Sequence, residues 1–262
     1  MRKTNKSVKR NLVIVSVLVA LILFADQLLK IYIKNNFAPG EVFPLLGNWF
    51  LLDYTENPGM AFGTTFGGAM WHKLALSIFR IGAIIGICIF WYRQAKAGAK
   101  REFLIALGLI LAGASGNLID SMFYDFVFAY DPCLPFNTLE GSGIVTDCGF
   151  WGQIETRHTG FLLGNVVDMF KFQAFWPEWM PWLGGREVFP AIWNLADASI
   201  TIGVVMVFLR QRTYFRRRGC WFQPFRHGHG YLLDCHFMRL AGGREIALAC
   251  KPAPTGGWCV LV

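Results

Sequence analysis

The sequence predicts a polytopic α-helical membrane protein with four transmembrane helices, a small extracytoplasmic β-rich element and an extracytoplasmic insertion. Three observations lead there. The 262 residues are 54% hydrophobic and only 16% charged, and the mean hydropathy is +0.40, a membrane-class composition. Apolar runs of spanning length occupy about residues 12–33, 74–92, 103–123 and 191–209. Finally, 14 of the 25 Lys and Arg residues fall in three blocks, Met1–Arg10, Arg93–Arg101 and Arg210–Arg218, each beside an apolar run. Such blocks anchor the cytoplasmic ends of spans. The +8 net charge is therefore used on membrane topology, which argues against a nucleic-acid face.

Residues 1–11 read as a basic, solvated arm. The start resembles a signal peptide, but no A-x-A site follows and the run continues through Asp26 to Ile33, so an uncleaved span is predicted. Asp26 and Lys30 are spaced i,i+4 and share a helix face. They form either an interfacial pair, with Lys30 extended to the headgroups, or a pair turned toward a site. Residues 34–73 form an outside loop in which Glu41–Tyr54, rich in Phe, Leu and Trp, reads as short strands. Asn57-Pro58-Gly59 is a turn signal; Asn57 either satisfies local backbone or binds substrate.

The second span has Trp71, Trp91 and Tyr92 as interface anchors and Cys88 as inert packing. Arg80 lies about 9 Å inside it. Snorkelling to the outer surface is the favoured reading over holding a phosphate or a carboxylate. In the third span Gly113, Gly116, Asn117 and Asp120 recur at helical spacing on one face, where small residues permit close helix approach. The outside segment 124–190 then opens with Tyr124–Leu163, irregular and too long for a simple connection, an exposed lobe or a lid. Its Cys133 and Cys148 can be bridged if the lobe lies outside the cytoplasm. Gly164–Phe170 carries Asp168, and the aromatic stretch Phe170–Trp182 reads as interface-hugging. In the last span Asn194, Asp197 and Thr201 share a face, with Asp197 a turn or two into the apolar run.

Residues 1–218 thus make one membrane domain, and 219–262 an unplaced tail. His227, His229 and His236, with Cys220 or Cys235, match no strong metal-site spacing, so neither metal nor cofactor is expected. With the basic blocks inside, both termini are cytoplasmic. Asp26, Asn117, Asp120, Asp168 and Asp197 then come to one depth at the outer surface. Two aspartates sharing a site hold one proton near neutral pH, so one can take a proton from water while the other polarises a carbonyl. Neither G-x-S-x-G nor H-E-x-x-H is present. The residues themselves leave three readings open: a structural hydrogen-bond network, a proton or ion path, and hydrolysis.

Five blocks narrow the choice: Asp26-Gln27-Leu28-Leu29-Lys30, Asn57-Pro58-Gly59-Met60-Ala61-Phe62, Gly116-Asn117-Leu118-Ile119-Asp120, Val166-Val167-Asp168-Met169-Phe170 and Asn194-Leu195-Ala196-Asp197-Ala198-Ser199-Ile200. Together, in this order over about residues 10–212, they closely resemble the lipoprotein signal peptidase (signal peptidase II) family. The resemblance implies a four-span aspartic endopeptidase of the bacterial inner membrane that cleaves prolipoproteins before a diacylglyceryl-modified cysteine. Asp168 and Asp197 match its catalytic pair. Asn57, Asn117, Asp120 and Asn194 match positions that line the site or bind substrate, and Asp26 and Lys30 match its first motif. The implied partners are diacylglyceryl-modified prolipoproteins and membrane lipids, the chain being a monomer without nucleic acid or cofactor. Ser121 stands where the family commonly has Arg, a place Arg80 could fill. Met60 and Met169 also depart from the usual residues, and the 124–163 insertion and the tail have no counterpart in short members.

Overall fold

The structure, a computed structural model, describes residues 2–58 and 70–214 and four short strands of the C-terminal tail. The described residues include four α-helices: α1 (Arg2–Asn36), α2 (Met70–Lys96), α3 (Arg101–Val127) and α4 (Leu195–Tyr214). Among the described residues, three helical segments are long and apolar enough to cross a membrane: Lys6–Asn36, Met70–Lys96 and Arg101–Val127. Large side chains such as Phe24, Phe79 and Phe126 point outward from them. That would be anomalous in water and is ordinary for a lipid-facing surface.

Helix bounds differ from the sequence reading in physically intelligible ways. The basic arm is helical from Arg2, since nothing in it breaks the helix and Lys and Arg are good helix formers. The predicted fourth run begins at Ala191, but Ile192–Trp193 is a strand and α4 starts at Leu195. Asn194 therefore precedes the helix instead of sharing its face, and Asp197 lies in the first turn. Trp91 is no lipid-facing anchor: it is buried, and its indole Nε1 donates to the Leu104 carbonyl at 3.2 Å. Cys88 is a free, exposed thiol on α2 rather than packing.

Glycines set how closely the helices approach. A Cβ on Gly113 would fall on the Ala196 carbonyl, and one on Gly116 would lie 2.7 Å from Asp26 Oδ2. The polar face predicted for α3 therefore does turn inward, against α1 and α4.

The strands β1 (Val42–Leu46), β2 (Phe50–Asn57), β5 (Val166–Phe172) and β6 (Ile192–Trp193) form one antiparallel sheet in the order β1-β2-β5-β6. β1 and β2 lie where the aromatic-rich stretch 41–54 predicts them. Leu52, Tyr54, Val167 and Met169 on one face of the sheet pack with Ile33 of α1 and Tyr124 of α3 as a buried cluster. An aromatic group, Phe50, Phe170, Phe172 and Trp193, joins the three strands β2, β5 and β6, with ring centroids 5.0–6.2 Å apart. Phe170 and Phe172 are therefore sheet residues. Of the predicted interfacial stretch, the exposed part is a turn closed by Trp176 N–H donating to the Arg186 carbonyl, with Trp179 and Trp182 outward.

The insertion begins later than predicted, because α3 continues through Tyr124 and Asp125 to Val127. It carries a two-stranded hairpin, β3 (Val145–Asp147) with β4 (Gln153–Glu155), and the Cys133–Cys148 disulfide. Buried Arg157 ties it down. Its Nη2 and Nη1 donate to the two carboxylate oxygens of Asp125 at 2.8 and 3.0 Å, and its Nε donates to Asn137 Oδ1 at 2.7 Å. The lobe is thus anchored to the end of α3.

The chain divides into two compact units, Met1–Phe208 and Leu209–Val262. In the second, β7 (Phe222–Pro224) pairs with β8 (Tyr231–Leu233), and β9 (Met238–Arg239) with β10 (Glu245–Ile246). The His and Cys residues of the tail, and Gly59–Phe62 with Met60, lie outside the described residues.

Candidate active site

Asp168 sits in the middle of β5. Side chains alternate along a strand, so while Val167 and Met169 enter the buried cluster, Asp168 turns to the other side. Register places it opposite Thr55 of β2. A cavity of about 770 Å3 opens beside it, lined at its polar end by Asn57, Arg80, Asn117, Asp168 and Asp197. The rest of its wall is largely apolar, including Leu76, Phe172, Phe189 and Ile200.

Asp197 reaches this cavity from the first turn of α4 through a reciprocal cap. Its backbone N–H donates to Asn194 Oδ1 at 2.9 Å, while Asn194 N–H donates to Asp197 Oδ2 at 3.3 Å. This is the capping-box arrangement with Asn and Asp in the two roles. The N-x-x-D spacing that marks the site thus has a local folding reason. A further open N–H at this helix start, that of Ala196, donates to Asp26 Oδ1 of α1 at 2.9 Å.

Three amides hold the two carboxyl groups. Asn194 Nδ2 donates to Asp168 Oδ1 at 2.6 Å, and Asn57 Nδ2 donates to Asp168 Oδ2 at 3.2 Å. Asn117 Nδ2 donates to Asp197 Oδ1 at 2.8 Å. Asn194 therefore touches both aspartates, one through its amide and the other through its cap. Asp168 is 2% exposed. Burial, and then the charge of Asp197, pushes its carboxyl up to about 7 from the ordinary carboxylate range, against the opposing pull of Asn57, Lys30 and Asn194.

Behind the amides lies an ion cluster. Lys30 Nζ is 3.0 Å from Asp26 Oδ2 and 2.7 Å from Asp120 Oδ2, and it donates to Asn117 Oδ1 at 2.9 Å. Lys30 is 0% exposed, so of the two sequence readings the inward-facing one holds. The ammonium has three protons and three acceptors within reach. Arg80 likewise does not snorkel: it lines the cavity, and its Nη1 donates to Ser121 Oγ at 3.4 Å. Close approach of α2 and α3 draws the guanidinium inward.

Sequence reasoning missed Gln27, whose Nε2 donates to Asp120 Oδ1 at 2.8 Å. It also missed Lys73 and Ser77 of α2. Lys73 Nζ donates to Asn165 Oδ1, and Ser77 Oγ donates to the Leu162 carbonyl, each at 2.8 Å. Both fix the loop that leads into β5. The signal was present, since Lys73, Ser77 and Arg80 fall at i, i+4 and i+7 on one face of an apolar helix. Among the described residues, no group of three or more His, Cys, Asp or Glu side chains is placed to hold a metal ion.

The chain is 36% identical over 211 residues to a lipoprotein signal peptidase of Porphyromonas gingivalis, covering 75% of this chain and 81% of that protein. It is 35% identical over 195 residues to one from Amoebophilus asiaticus, covering 71% and 72%. A solved chain described as a bacterial membrane enzyme aligns over 79% of this chain and 93% of its own, at 21% identity and a TM-score of 0.49. Residues 18–212 match the signal peptidase (SPase) II family, a stretch that contains all the side chains gathered around the cavity. The chain therefore belongs to the signal peptidase II family.

Proposed function

We propose that this protein is a membrane aspartic endopeptidase that removes signal peptides from prolipoproteins by cutting before the diacylglyceryl-modified cysteine, with Asp168 and Asp197 as the catalytic pair. Family membership supports the reaction class. The observation that carries the residue assignment is Asn194, which clasps Asp168 and Asp197 at the polar end of one cavity.

Asp168, the buried member, holds the shared proton. The Asp197 carboxylate sits at a helix N-terminus, where backbone N–H groups favour negative charge. It accepts a proton from a water molecule as the water oxygen bonds to the scissile carbonyl carbon. Asp168 gives its proton to the carbonyl oxygen, so the tetrahedral intermediate is a neutral diol. Collapse breaks the C–N bond. The proton gathered by Asp197 passes to the leaving nitrogen, and Asp168 recovers its own from the diol. Asn57, Asn117 and Asn194 keep the pair oriented, and Arg80 lines the cavity as a polarising cation. The apolar wall suits the acyl chains of the modified cysteine and the apolar signal helix.

The topology follows the same reading. α4 is the fourth span, both termini are cytoplasmic, and the site lies at the outer face. The basic blocks support this orientation, as does the Cys133–Cys148 bridge, a bond that persists in oxidising compartments.

Asp168→Asn and Asp197→Asn are each expected to abolish cleavage of a diacylglyceryl-modified precursor, read as a gel shift, while the protein still accumulates in membranes. Full activity in either variant overturns the assignment.

A further inference from the structure

Asn117 faces the cavity with its amide nitrogen and the protein interior with its amide oxygen. The oxygen receives two donors, Lys30 Nζ at 2.9 Å and Asn194 Nδ2 at 3.2 Å. A lysine ammonium can only donate. The atom of Asn117 opposite Lys30 must therefore be oxygen, which leaves the NH2 to face Asp197. If the amide turned over, its NH2 would meet an ammonium and its carbonyl oxygen would meet a carboxylate. Asn194 is fixed in a parallel way, because its Oδ1 faces the donor-only N–H of Asp197.

We infer that Lys30 is a positioning residue for the reaction: by locking the orientation of the Asn117 amide, it keeps a hydrogen-bond donor permanently aimed at Asp197. This rests on the catalytic pair proposed above. It adds a role for a fully buried cation that touches neither aspartate of that pair.

Lys30 lies under Asn117, with Asp26 on its own helix and Asp120 on α3 completing its shell. The other charged or titratable groups around this assembly are Tyr124 on α3, Asp197 on α4, Asp168 on β5 and Arg80 on α2. Without Lys30, only Asn194 Nδ2 of these two donors still opposes turning over, so the amide samples far more often the state in which Asp197 loses a donor and gains a repulsive oxygen. A carboxylate deprived of a donor needs a higher pH to ionise. The acid limb of kcat/KM should then move upward. Loss of folded protein would lower the amplitude alone and leave the limb in place.

Lys30→Met alone would leave two buried carboxylates uncompensated and endanger folding. The informative variant is Lys30→Met/Asp120→Asn. It removes one charge of each sign, so the net charge is unchanged, and it retains Asp26 on the Ala196 N–H. The double variant should keep membrane accumulation, lose at least tenfold in kcat, and show an acid limb displaced upward by about one pH unit. A folded double variant whose limb coincides with wild type overturns the inference at any amplitude. If the double variant fails to accumulate, Lys30→Arg decides, because arginine is also donor-only. An unshifted limb supports the lock, and a shifted limb, or failure of this variant to accumulate, overturns it. Failure of the wild-type protein to cleave the precursor would instead sink the proposed function.

Discussion

At the residue scale, Asn194 joins two tasks that substitution can separate. Asn194→Ala removes the cap of α4 and should cost about 1 kcal/mol of stability. Asn194→Ser keeps an oxygen able to cap the helix but has no NH2 for Asp168. It should melt closer to wild type than Asn194→Ala in detergent and still lose roughly tenfold to a hundredfold in kcat, the range for a hydrogen bond to a group that becomes charged as Asp168 gives up its proton. Asp168 sets a pH dependence. Its carboxyl is raised by burial to about 7, so the protonated form is favoured in the folded state. Above that pH the reaction should decline as the proton is lost, seen as a basic limb in kcat near 7. Keeping the buried group ionised costs folding free energy, so this contribution improves as pH falls from above 7 toward the unfolded value near 3.9 and is then constant. Thermal melting of the protein across that window checks it, with Asp168→Asn as the variant in which the trend disappears.

Elements explain what could be read from the sequence and what could not. Helical spacing was enough to put Gly113, Gly116, Asn117 and Asp120 on one inward face of α3, because period alone determines which side chains share a side. The strands at 42–46 and 50–57 were legible in the Phe, Leu and Trp of the stretch 41–54 and in Gly47 between them, whereas Pro44, read as punctuation, lies inside β1, an edge strand that tolerates it. The depth of Lys30 was not, because burying an ammonium depends on acceptors from another helix, and Asp120 and Asn117 lie 87 or more residues away. Nor was the start of α4, since hydropathy cannot see that Asn194 caps a helix while Ile192–Trp193 pairs with β5. Arg80 was misjudged for a related reason: snorkelling considers one helix at a time, and α2 packs against α3. Gly203→Leu would push a side chain into the Ala106 carbonyl, which lies 2.6 Å from where a Cβ would sit. Overpacking of this kind costs about 1–3 kcal/mol, measurable as a lower melting temperature in detergent.

For the whole molecule, the lobe over 128–163 is continuous with the site by way of hydrogen bonds. Asp125 holds Arg157, Arg157 holds Asn137, Asn137 Oδ1 accepts from Asn165 Nδ2 at 3.2 Å, and Asn165 accepts from Lys73. Asn165 directly precedes β5, so the lobe braces the strand that carries Asp168. Of the two sequence readings, the exposed lobe fits this bracing better than a loose lid. Arg157→Ala would strand buried Asp125 and should destabilise the protein by about 3–5 kcal/mol. Precursor cleavage should fall even though the residue lies outside the cavity wall. Cys133→Ser/Cys148→Ser opens a loop with a sequence separation of 15, worth about 3 kcal/mol in the chain-entropy estimate. Its expected signature is faster proteolysis within 128–163 in intact spheroplasts.

The reciprocal cap at Asn194 has one more outcome. Helix ends open more readily than helix middles, and here the opening of a single turn would take the Asn194 donor from Asp168 and detach Asp197 together. Warming should therefore silence the enzyme reversibly at temperatures where its helix content is still intact, with cooling restoring turnover before any refolding is needed.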